Sequence, residues 1–61
     1  MKTMTRKQLI SACVDDQIAR GVIKKENRAK HINMRLSGAY RMSLEECKTW
    51  YTCLKLQNNT K

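Results

Sequence analysis

From residue 6 to residue 56 the apolar positions recur at helical spacing, in three blocks separated near the two glycines. In the first block Leu9, Ile10, Cys13, Val14 and Ile18 follow the i, i+4, i+5, i+9 pattern that gathers residues on one helix face. Thr5 precedes it, with Gln8 at the spacing of a capping box, and Gly21 stands where a left-handed C-cap belongs. A helix is predicted over about residues 6–20. In the second block Ala29, Ile32, Leu36, Ala39 and Tyr40 lie within roughly 100° on a helical wheel, which predicts a helix over about 24–40 with that face in the core. Gly38 leaves its end open, because one glycine inside a helix costs only about 1 kcal/mol. The third block opens with Ser43, Leu44, Glu45 and Glu46, a capping-box pattern with acids in the first turn. Leu44, Cys47, Trp50, Tyr51 and Leu54 then cluster within roughly 120° and predict a core or dimer packing face on a helix over about 44–56. The polar tail, 57–61, is expected to fray.

Residues 1–10 lack the period-two alternation of a strand, and the chain has no proline, so the predicted fold is all-α. Two or three short amphipathic helices would form a hairpin or a small open bundle, a single domain spanning residues 1–61. A chain of 61 residues with no Phe, one Trp and two Tyr has few bulky anchors. At this size only about 60% of the unfolded surface is buried, so homodimerisation is expected to complete the core. Three cysteines, an odd number, and the opening MKTMTRKQLI without a continuous apolar stretch point to a reduced, cytoplasmic protein. No apolar run approaches the length of roughly 18 residues for a membrane span, and neither end carries a lipidation motif.

Charge adds what periodicity does not. Thirteen Lys and Arg against five Asp and Glu give a net charge of +8. From Arg20 to Arg41 seven basic residues face one acid, Glu26. Lys24, Arg28, His31 and Arg35, spaced four, three and four apart, form a stripe displaced from the apolar face, with Arg20 and Lys25 beside it. Several cations on one helix face can neutralise successive phosphates, and Asn27, Asn33 and His31 would add hydrogen-bonding groups. The stripe therefore reads as a nucleic-acid-binding surface, with a solvated face or the docking site of an acidic protein as the alternatives.

A helix-turn-helix fits poorly. With Gly38 at the turn, Asn33 and Met34 fall where small packing residues are preferred, and the recognition helix would present Glu45 and Glu46 to phosphates. A ribbon-helix-helix dimer lacks its strand. Cys13, His31, Cys47 and Cys53 are four possible zinc ligands, yet no pair has C-x-x-C spacing, and Cys13 and Cys47 lie on apolar stripes, so no metal is expected. Cys53 lies off the apolar face, where it is expected to be exposed and open to adventitious disulfide formation. Asp15, Asp16, Glu45 and Glu46 occur as adjacent pairs that point in different directions on their helices, and no phosphate-cradling glycine loop is present. Neither a cofactor nor catalysis is expected, and Asp15 and Asp16 read as partners for basic residues of the second helix or of a partner chain.

In size, basicity, freedom from proline and its opening MKTMTRKQLI, the chain resembles the small accessory proteins encoded in the early regions of lambdoid temperate phages. The resemblance implies a role in phage development, in the bacterial host cytoplasm, through host regulators or phage DNA. The expected function is that of a small regulatory accessory protein binding nucleic acid through the middle helix. The alternative is an interaction module that docks on a host regulatory protein without touching DNA.

Overall fold

A computed structural model describes residues 4–59 and is all-α, with no strand among those residues. Helix α1 spans Arg6–Ala19, α2 spans Arg28–Ser37 and α3 spans Leu44–Asn59, and a short 3-10 turn, Lys25–Asn27, leads into α2. The central element is α1, against which both α2 and α3 pack.

The start of α1 is fixed by reciprocal bonds: the Gln8 amide donates to Thr5 Oγ1 at 3.2 Å, and the Thr5 amide donates to Gln8 Oε1 at 2.8 Å. Its end is a Schellman closure, with the Val22 amide bonded to the Gln17 carbonyl at 2.9 Å and the Gly21 amide to the Ile18 carbonyl at 3.0 Å. That closure needs a left-handed residue, and Gly21 has φ +80°. Ser43 and Glu46 repeat the reciprocal cap at α3, at 3.2 and 2.8 Å.

The second helix is shorter than the periodicity of residues 24–40 predicts. Lys24 is extended, the chain enters through the 3-10 turn, and α2 stops at Ser37. Gly38 is extended, and a Cβ there would lie 2.8 Å from the Met34 Cα, so close passage of the backbone, not a left-handed turn, requires glycine. Ending the helix there removes Ala39, which is exposed, and Tyr40, which is 65% exposed, from the expected core, and Ala29 in the first turn of α2 is exposed as well. The apolar area of Ala39 and Tyr40 is left at the surface because residues 39–43 run as a linker, and Ile32, with half-buried Leu36, carries the contact of α2 with the core. The third helix runs further than expected, through Asn59, so part of the tail expected to fray is helical, and residues 60–61 lie outside the described residues.

The core is Leu9, Ile10, Cys13 and Val14 of α1, Ile23 of the connection, Ile32 of α2, and Cys47 and Leu54 of α3. Ile10 and Val14 are fully buried, each worth about 1.5–3 kcal/mol of transfer free energy. Trp50 and Tyr51 are half-buried against this cluster, whereas Leu44, expected beside them, is 37% exposed at the first position of its helix. Much of the aromatic face expected to need a second copy is thus turned onto α1 of its own chain.

A contact between elements holds the frame square. Arg6, in the first turn of α1, donates from Nη2 to the Leu36 carbonyl at 2.6 Å and from Nε to the Met42 carbonyl at 2.9 Å. A guanidinium at the C-terminal end of α2 satisfies an orphan carbonyl and complements the negative end of the helix dipole.

Candidate nucleic-acid interface

The basic stripe is divided by the fold into three environments. Lys24 and Lys25 stand exposed where the chain turns from α1 towards α2, and Lys30 is exposed on α2. No carboxylate of the described residues pairs with these three lysines. Arg28 is also exposed, but its guanidinium grips Asp15 of α1 with Nε at 2.6 Å and Nη2 at 3.3 Å. Hydrogen bonding from Arg28 holds the Asp15 carboxyl below its ordinary range. Arg20 is held by Asp16 at 2.7 Å across one turn of α1. Asp15 thus does pair with the second helix, as its position on α1 suggested, and Asp16 pairs within its own helix.

His31 and Arg35 face inwards. Arg35 stands two turns beyond the exposed Arg28 on nearly the same side of α2, and it is that end of the helix that lies beside Trp50 of α3. There the Arg35 guanidinium lies over the Trp50 indole, 4.4 Å from the ring centroid, and Nη1 contacts Met42 Sδ at 3.5 Å. A guanidinium over an indole face is attracted by the ring quadrupole. Arg35 Nε and His31 Nδ1 are both buried without a hydrogen-bond partner, and no carboxylate among the described residues pairs with Arg35. These groups line an open cleft of about 540 Å³ together with Gln17, Val22, Ile23, Met42 and Trp50.

The stripe is therefore not one continuous surface. Its exposed lysines form a cationic shoulder around the start of α2, and one of them, Lys24, directly follows the cleft residue Ile23 in the chain. Sequence spacing grouped His31 and Arg35 with the solvated cations because all four fall on one wheel stripe. It missed Gln17, Met42 and Trp50 as cleft residues because they come from three separate segments. The one available signal was Trp50, a large amphipathic side chain in a chain poor in aromatics.

Among the described residues no three His, Cys, Asp or Glu side chains come together to hold a metal ion, and all three cysteines are free. No helix of the described residues is long and apolar enough to cross a membrane. Compared with known protein families, curated proteins and solved structures, the chain matches none.

Proposed function

We propose that this chain is a small regulatory accessory protein that binds nucleic acid through the basic surface around the start of α2, in phage development if the resemblance in size and character is followed. The supporting observation is the distribution of charge compensation. Asp15 and Asp16 are committed to Arg28 and Arg20, while Lys24, Lys25 and Lys30 are exposed without an acidic partner among the described residues. Such a shoulder suits a polyanion, whose phosphates exchange condensed counterions for lysines. Homodimerisation belongs to the same proposal, since a two-fold pair would double the shoulder.

The test is binding of the full chain to a fluorescent oligonucleotide at 50 and 200 mM salt, beside a Lys24→Ala, Lys25→Ala, Lys30→Ala triple variant. All three side chains are exposed, so the variant should keep its helical circular dichroism. Three phosphate contacts predict an affinity loss between the two salts of about 40-fold on a duplex and about 18-fold on a single strand, and the triple variant should bind weakly with a flatter salt response. A second reading, docking on an acidic host protein, is favoured by the exposed apolar side chains Val22, Tyr40 and Leu56. Absence of binding at low salt selects that reading over the first.

A further inference from the structure

We infer that the cleft between α1, α2 and α3 receives an unstacked nucleobase, so that the nucleic acid this chain prefers is single-stranded. The inference rests on the nucleic-acid reading above and adds the class of strand. The cleft brings together the side-chain types on which splayed bases stack: the Trp50 indole, the Arg35 guanidinium plane and the His31 imidazole. Its volume, about 540 Å³, falls inside the roughly 300–1,000 Å³ range of sites that enclose a small organic group. Its walls are apolar at Val22, Ile23 and Met42, with a few polar groups placed among them, the usual make-up of a site that holds a flat heterocycle.

Two of those polar groups are unspent. His31 Nδ1 and Arg35 Nε are buried with no partner, a condition that costs free energy in a folded protein, and both side chains line the cleft, so a ligand bearing donors and acceptors on its edge meets these two atoms once the side chains turn towards it. The Gln17 amide offers one acceptor and two donors in the same cleft. Arg35 is in addition a half-buried cation with no carboxylate partner among the described residues, so an anionic ligand gains there what solvent does not fully supply. Lys24 and Lys25 continue from the wall residue Ile23 and can hold the flanking phosphates.

A duplex does not satisfy this geometry. Its bases are stacked and paired, and reaching a recessed Trp50 requires extruding one of them at a cost of a few kcal/mol. Nor does α3 offer itself to a groove, because its exposed first turn carries Glu45 and Glu46.

Trp50 is the chain's one tryptophan, so emission excited at the red edge, where the two tyrosines do not absorb, reports on the cleft alone. The full chain is titrated at fixed low salt with four probes: a single strand of roughly 20 nucleotides, its duplex, a strand of abasic sites with the same number of phosphates, and polyglutamate. The inference expects quenching of Trp50 by the single strand only, and an affinity for it about tenfold above that for the abasic strand. Gln17→Leu and His31→Leu, which keep the cleft filled and leave every lysine in place, should narrow that ratio without changing abasic binding. Equal binding of single, abasic and duplex strands with unchanged Trp50 emission would overturn the cleft while leaving a phosphate-binding protein. Quenching by polyglutamate equal to that by the single strand would overturn the nucleobase and indicate an acidic peptide. No binding of any strand overturns both this inference and the function it rests on.

Discussion

Cys13, Cys47 and Cys53 show how one residue type divides by environment. Cys13 and Cys47 sit in the core, almost without solvent contact, and Cys53 is exposed on α3. Burial pushes the Cys13 thiol up from its ordinary 9.0 to about 11, assisted by Cys47 and Asp16 nearby and opposed by Arg35. Burial raises Cys47 as well. The unfolded chain gives up these protons at lower pH than the folded one, so between about pH 9 and 11 folding is opposed by thiol ionisation. Their stabilising effect is complete below pH 9 and is lost as pH rises through the folded value. Asp15 has the opposite sense: Arg28 lowers it, so its small contribution, made at an exposed pair, is present above the ordinary carboxylate range and lost on acidification. The prediction is a melting temperature that declines from pH 9 to 11, with a shallower decline in Cys13→Ala despite a lower starting value. A thiol reagent at neutral pH should label Cys53 rapidly and the other two only at the rate of unfolding. Rapid labelling of all three would mean that the core around α1 opens freely.

At the scale of elements, the parts legible in the sequence are those written locally. The Thr5 and Ser43 caps, Gly21 and the α1 stripe each rest on residues a few positions apart, and each stands where its spacing implies. What was not legible depends on residues distant in sequence. Periodicity carried the second helix on to Tyr40, because it has no term for the close passage at Gly38 or for an outside group that satisfies the helix end. That group is Arg6, 30 residues from Leu36 and 36 from Met42. The cleft is hidden for the same reason, being assembled from α1, its exit, α2, the linker and α3. Arg6 should accordingly matter to two elements at once. Arg6→Ala leaves the Leu36 and Met42 carbonyls without their charged donor and should cost about 1.5–3 kcal/mol in urea unfolding. Arg6→Lys should recover only part of that, since an ammonium cannot present the planar fork that reaches both carbonyls. Amide exchange should quicken in residues 36–42 more than in the first turns of α3. A loss confined to α1 would show that Arg6 acts only on its own helix.

For the whole molecule the governing quantity is charge per size. The chain carries a net +8, and its described residues extend over 33 × 29 × 18 Å, with a radius of gyration of 11.5 Å against about 10.5 Å for a compact chain of 61 residues. The departure fits a flat arrangement in which α2 and α3 both lean on α1 and leave the cleft open. At 0.01 M salt the screening length is about 30 Å, so every cation feels the others, whereas at 0.15 M it falls to about 8 Å, shorter than the thinnest dimension. Attraction is lost on screening too, but the ion pairs of Asp15, Asp16 and Glu45 are at or near the surface, where solvent already screens them and each contributes little. Relief of self-repulsion therefore wins, and sodium chloride added between those two concentrations should raise the melting temperature. The same salt should weaken nucleic-acid binding, because there the cations work with a polyanion instead of against one another. Opposite signs from one titrant separate the two uses of the charge: an excess of cations that the fold tolerates and the partner exploits. Chloride is the anion to use, since sulfate stabilises by exclusion from the surface and would mimic the first effect. A melting temperature that falls with chloride would place the ion pairs, and not the uncompensated lysines, in control of this fold.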